Sequence, residues 1–390
     1  MSGIGTLLNP WDLPSAFGVN NIEYSQSSTR TLWLLDGTYN GDVNVNLSGR
    51  SNSVITVRPY SGNPKINGML TVVGDYLILK NLEIFYNGWA SRQTTQSGSY
   101  PTDITVNPLT VHGKYIKIIN CIVHDLYDGL VISLVNTAAE MHGNLFFHNG
   151  WLGPDRGHGH AMYLHNVDYL MTVKNNICFD NFGLGIHAYH PNASNLKNFL
   201  FEGNTCFRNG SLASAISANL LLGGDSGQAD TATFQSNMSY GAGVGNTKGL
   251  QFYGGGAINM TLTDNYVPDG KMGTYTAVSE TGNYWGPDIG NQVFLRANDY
   301  DSSRANLTIY NQAASNSISV DVSSIFSPGD SINARNVQDY FVDIQNLTVA
   351  GDGTITIDMQ AVNRTVATPI QWTAPATTFP QFGCFVLEKQ

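Results

Sequence analysis

The chain has 390 residues, 42% of them hydrophobic and only 12% charged, with a formal charge of −10 at pH 7. The apolar content rules out intrinsic disorder, and the shortage of Lys and Glu argues against long solvated helices. The acidic balance argues against nucleic acid or an anionic membrane as partner, so any anionic substrate needs a local basic patch.

The opening, MSGIGTLLNPWDLPSAFG, lacks the basic segment and apolar core of a signal peptide. No run approaches the ~18 apolar residues of a membrane span. The expected location is nonetheless extracellular or virion-associated, because of the fold and substrate argued below. Residues 31–49 (TLWLLDGTYNGDVNVNLSG) and 55–68 (ITVRPYSGNPKING) alternate apolar and polar residues between Gly/Asn turns, which predicts strands.

An Asn-led motif then recurs as NCIVHD (120–125), NLFFHN (144–149), NICFDN (176–181) and NTCFRN (204–209), with weaker copies at 81–86 and 237–242. The strong copies are 24, 32 and 28 residues apart. A second motif follows in three repeats: GLVISLVN (129–136), GHAMYLHN (159–166) and GLGIHAYH (183–190). Repeats of this length, with variable turns and short strands, predict a repeat protein whose coils stack as a parallel β-helix. The Asn at 81, 120, 144, 176 and 204 are expected to stack in one amide column. Val123, Phe147, Phe179 and Phe207 would form a neighbouring apolar column. His124, His148, Asp180 and Arg208 fall in a turn column read as solvated or hydrogen-bonded across the turn. Cys178 and Cys206 share a column too, and with Cys121 and Cys384 are read as free thiols.

From about residue 290 the Asn pattern stops and the alternating segments lengthen, as in 294–311, 317–341 and 354–362. The expected architecture is all-β, with a right-handed parallel β-helix and its N-terminal lead-in over residues 1–290. A C-terminal antiparallel, β-sandwich-like module occupies 291–390. The copies NNICFDNFGLGIHAYH and GNTCFRNG, with the Gly-Thr-Tyr turn and Arg-Pro-Tyr strand near the start, resemble the right-handed parallel β-helix (pectate-lyase-like) superfamily of carbohydrate-active proteins. The resemblance covers residues 30–290. It implies the fold, while the superfamily hosts lyases, hydrolases, epimerases and inert spikes.

All nine histidines lie between His112 and His190, and the stretch 148–166 is the densest. Aligning Gly129, Gly159 and Gly183 puts Met162, Leu164, Ile186 and Ala188 inside. The opposite face then carries Tyr163 on His187 and His165 on Tyr189, with Ser133 and Val135 on the preceding coil. Such a block suits proton transfer on a sugar ring, because His titrates near neutrality and Tyr serves as acid or phenolate base. The alternative is that these side chains merely cover the strand surface.

Three chemistries fit these residues. The favoured one is β-elimination on a uronate-containing polysaccharide. Tyr163, His165, His187 and Tyr189 act as the proton-transfer groups, and Arg156 neutralises the carboxylate. Asp155, His158, His160, His190 and Trp151 bind the substrate. Glycoside hydrolysis is the second; it needs paired carboxylates, and Asp128 and Asp155 have no evident partner in register. Gly157-His158-Gly159 resembles a short motif of polygalacturonases, whose other signatures are missing. Metal binding through His158 and His160 is the third, without a convincing completing ligand. The expectation is therefore no metal and no cofactor. A non-catalytic glycan-binding or virion-spike protein is the rival reading, in a monomer or homotrimer.

Overall fold

The computed structural model describes residues 6–18, 30–133, 137–213, 218–241, 248–287 and 290–390. The chain divides into two compact units, one ending at Trp285 and one running from Gly286 to Gln390.

The first unit is a parallel β-helix. Its strands, three to seven residues long for the most part, fall into three sheets of ten, eight and nine strands, and nearly every turn of the coil adds one strand to each sheet. Every pairing within these sheets is parallel. Period-2 alternation sends every second side chain inward. Val57, Leu79, Ile118, Met141, Val173, Phe201, Phe234 and Leu262 therefore lie in register down the first sheet. All eight belong to one apolar core, and burying a side chain of this size contributes about 1.5–3 kcal/mol. Leu13 and Phe17 of a short helix, Leu13–Gly18, join the core beside the first coil. No helix among the described residues is long and apolar enough to cross a membrane.

Amide ladders hold the turns. Asn144, Asn176, Asn204, Asn237, Asn265 and Asn283 form one column: in each step the side-chain Nδ2 donates to the next Oδ1 at 2.7–3.0 Å. The backbone N–H of each donor residue reaches the same oxygen, and Nδ2 also reaches a strand carbonyl such as Val173 O. Both donors and the acceptor of each buried amide are thereby satisfied. A second column runs through Asn149, Asn181, Asn209 and Asn219.

The earliest Asn do not join the column. Cys121, not Asn120, donates its backbone N–H to Asn144 Oδ1 at 2.8 Å. Asn81 and Asn120 sit one place earlier, at positive φ (57° and 52°). Asn is favoured both in a left-handed turn and in an amide ladder, and these two places are adjacent, so the first copies slip by one. It follows that His124, not Val123, pairs with Phe147, and the stack runs Phe85, His124, Phe147, Phe179, Phe207. Asp180 still aligns with His148, yet both are buried rather than solvated. All four cysteines are buried free thiols, with Cys178 directly opposite Cys206.

The second unit is antiparallel. Strands Gln292–Asn298, Asp301–Tyr310, Phe382–Lys389, Ser331–Asn336 and Ile344–Thr348 form a sheet in that spatial order. Ser317–Asp321 pairs separately with Thr354–Asp358. Leu307, Ile309, Val320, Ile332, Ile357 and Phe385 share its own apolar core.

Candidate active site

The third sheet carries the outward Tyr/His block. Its strands Leu130–Ile132, Met162–Leu164, Ile186–Tyr189 and Leu220–Gly224 are consecutive neighbours. Met162 and Ile186 pair inward, as do Leu164 and Ala188, so Tyr163 and His187 are in register on the outer face. Their ring centroids are 5.2 Å apart. His165 lies 5.1 Å from Tyr163 and 5.0 Å from His190. Tyr189 lies 5.0 Å from His187. On the preceding coil the alignment shifts by two: Val131 pairs with Tyr163, and Val135 lies outside the described residues.

Two excursions from the coil wall this face. One runs over residues 86–108; the other, 148–161, contains the hairpin Trp151–Leu152 with Gly157–His158. They are joined by backbone bonds, Leu152 N–H to Arg92 O at 2.8 Å and Thr94 N–H to Leu152 O at 3.0 Å. Arg92 is buried and pins both: it donates to Asp125 Oδ1 at 2.9 Å, to Gly150 O at 2.8 Å and to His148 O. Trp89 Nε1–H donates to Asp125 O at 2.6 Å.

The hairpin sorts its residues into two groups. Trp151 is 1% exposed, its ring between Tyr127 at 4.0 Å and His158 at 5.1 Å. With both faces covered it cannot stack on a sugar, which corrects its expected binding role; Trp89 is buried likewise. His158 faces Trp151 and donates from Nε2 to Asp155 Oδ1 at 3.0 Å. That bond holds the exposed Asp155 carboxyl below the usual range. His160 points the other way, 4.3 Å from His187. The two residues of the His-x-His pair are therefore apart, and among the described residues no three His, Cys, Asp or Glu are grouped to hold a metal ion. Arg156 is exposed, 3.3 Å from Ser99 Oγ.

Burial sets the electrostatics. His187 is 8% exposed, and desolvation, then the charge of Arg156, pulls its pKa down to about 3. Its Nδ1 is buried without a hydrogen-bond partner. Desolvation also holds His160 well below the ordinary value. His160 Nδ1 accepts the Leu184 N–H at 3.0 Å, which leaves the proton on Nε2. His165 has the opposite tautomer, because its Nδ1 faces the Ser133 carbonyl at 3.1 Å. These three imidazoles are thus neutral at neutral pH, with His160 holding its proton on Nε2.

Sequence reasoning underrated two carboxyl groups. Asp128 Oδ1 accepts the backbone N–H of His160 at 2.8 Å. Desolvation raises its pKa to about 7 against the opposing pull of that bond and of Arg156. Asp225 accepts the Tyr189 hydroxyl at 2.7 Å. The Tyr163 phenol, pushed up to about 12 by burial, also feels Tyr100 and both carboxylates. Asp128 was visible as a carboxylate one residue before Gly129; Asp225 carried no signal.

No family model matches the chain, and no curated protein matches it in sequence. Among solved structures it is similar to the A-module of the Azotobacter vinelandii mannuronan C-5 epimerase AlgE6. Identity there is 15% over 66% of this chain and 91% of that one, with a TM-score of 0.37. The Dettilon tailspike protein gp208 is 15% identical over 93% of this chain and 85% of its own, with a TM-score of 0.22. Tailspike gp49 of the Acinetobacter baumannii bacteriophage Fri1, a capsular polysaccharide depolymerase, is 11% identical over 95% and 72%, with a TM-score of 0.30.

Proposed function

We propose that the chain is a polysaccharide-acting enzyme that cleaves a uronate-containing polysaccharide by β-elimination on the outer face of the third sheet. The observation that carries this reading is the neutral, desolvated His187 on the outer face, beside the Tyr163 phenol and close enough to Arg156 to feel its charge.

Elimination needs three things. The uronate carboxylate must be neutralised so that the C5 proton becomes acidic; Arg156, the Nε2–H of His160 and the protonated carboxyl of Asp128 are suited to this. A base must take the C5 proton, and the neutral His187, in register with Tyr163 on the outer face, is assigned that role. Its pKa rises when an anionic ring enters, because a nearby negative charge offsets the desolvation of imidazolium. The C5–H electron pair then forms the C4=C5 double bond and the C4–O bond breaks. The leaving oxygen takes a proton from Tyr163, which remains protonated at neutral pH because its pKa is about 12. His165 lines the same centre, 5.1 Å from Tyr163.

A second reading follows from Asp128. A carboxyl with a pKa near 7 is a competent general acid for glycoside hydrolysis, with Asp225 as the second carboxylate. Incubation with a panel of uronate polysaccharides separates the two. Elimination yields unsaturated uronides that absorb in the ultraviolet, whereas hydrolysis yields new reducing ends without that absorbance. If no polysaccharide in the panel is cut, the enzyme reading fails and the glycan-binding reading replaces it.

A further inference from the structure

The outer face continues past the reactive cluster. Tyr189 pairs with Gly223, and Gly223 pairs with Tyr253 on the next strand, Leu250–Gly254. A glycine thus lies between two tyrosines of one outward column. A Cβ on Gly223 would approach Tyr253 O to 2.4 Å and its N to 2.7 Å, so the gap stays open. The two rings lean over it with centroids 6.3 Å apart. Tyr253 is 39% exposed. Its backbone lies two coils beyond that of Tyr189, about 10 Å along the axis at the usual strand spacing, and the two rings close that distance to form one platform.

The charge at this end differs from that at the reactive cluster. Arg156 acts on His160 and His187, whereas at this end the exposed carboxylate of Asp225 holds the Tyr189 hydroxyl, its charge reaching Tyr163 as well. Tyrosine rings offer apolar faces with a polar tip, and a carboxylate accepts hydroxyl protons but repels a second carboxylate. Resting on the reading of the site as a uronate-cleaving one, we infer that Tyr189, Tyr253 and Asp225 form a binding subsite for an uncharged sugar ring. The substrate is then a heteropolysaccharide in which uronate neighbours a neutral sugar, not a homopolyuronate.

The test is calorimetric binding to the full chain carrying Tyr163→Phe, which retains the ring but not the acid. The probes are a hexamer of galacturonate, a hexamer of mannuronate and hexasaccharides in which glucuronate alternates with glucose, galactose or N-acetylglucosamine. At least one alternating probe should bind tenfold or more tightly than both homopolymers. Tyr253→Ala should remove that advantage, and Asp225→Asn should strengthen homopolyuronate binding severalfold. Equal or tighter homopolyuronate binding overturns the inference, as does absence of binding by every alternating probe. Retained preference in a wild-type protein that cuts none of these sugars overturns the lyase reading alone.

Discussion

The carboxylate of Asp128 accepts the backbone N–H of His160 from a position 32 residues earlier in the chain, at 2.8 Å. One bond therefore ties the turn before one coil of the third sheet to the hairpin excursion that enters the next. It also explains how a carboxyl whose pKa is about 7 is kept beside neutral imidazoles.

The pH dependence of turnover follows from that group. Below pH 7 Asp128 is protonated and can donate to a uronate carboxylate; above it the group is anionic and repels one. Activity should fall as the pH rises through 7. Asp128→Asn, which keeps a donor without the titration, should abolish that limb in a pH–rate profile. An unchanged limb assigns it to another group.

Tyr163→Phe is the cleanest test of the proton-transfer role. Removing the hydroxyl should lower the rate by about 10²–10⁴, while the melting temperature holds, since the ring still packs on His187 and His165. His187→Ala is less clean, because a side chain only 8% exposed leaves a cavity. A Tyr163→Phe protein with full turnover would displace the chemistry from this face.

Arg92 should matter to the excursions more than to the coil. Replacing it with Met takes one of two cations from the buried Asp125, His124 remaining, and leaves the Gly150 and His148 carbonyls without this donor, at about 1–3 kcal/mol for each unpaired group. The predicted result is early proteolytic cleavage within residues 86–108 before global unfolding. Simultaneous loss of the whole fold, followed by denaturation, would show that the excursions and coil unfold as one unit.

Stability should peak near pH 6.5, just on the acid side of neutrality. Burial holds His148 and His187 near pKa 3, against an ordinary 6.5. Unfolding lets them take up protons, so their contribution is complete above pH 6.5 and is lost as the pH falls toward 3, by up to ~1.4 kcal/mol per pH unit for each group. Asp128 partly offsets this, because its raised pKa costs stability as the pH rises from 3.8 to 7. His124 is displaced upward: burial opposes its charge, but Asp125 and Glu83 raise it to about 9. That contribution is complete below 6.5 and is lost as the pH rises through 9. Denaturant midpoints from pH 4.5 to 10 should show both limbs, and His124→Gln should remove the alkaline one.

Much of the fold was legible because the coil repeats one chemical task per position. Tyr163 opposite His187 could be aligned since both coils enter through Gly159 and Gly183, whose backbones bond at 2.8 Å. Gly129 misled because it aligns instead near Ala161, whose carbonyl a Cβ there would meet at 2.4 Å. The burial of Trp151 was not legible: it depends on Tyr127 and on an excursion anchored by Arg92, contacts with no period. Asp225 was hidden for a similar reason, its partner Tyr189 being 36 residues away.

The amide columns have one more consequence. Each Asn in the ladder senses only the coil directly above and the coil directly below, and the donor-to-acceptor direction is the same at every step from Asn144 to Asn283. Nothing in such a column counts. A complete coil excised between equivalent amides, such as 237–264, leaves Asn204 facing Asn265 with the same polarity, whereas a single amide replaced in place leaves donors unpaired at about 1–3 kcal/mol each. Length is therefore a variable that the scaffold tolerates. The reactive face is not so indifferent, because Tyr163 and His187 belong to two successive coils, and splicing there would part them.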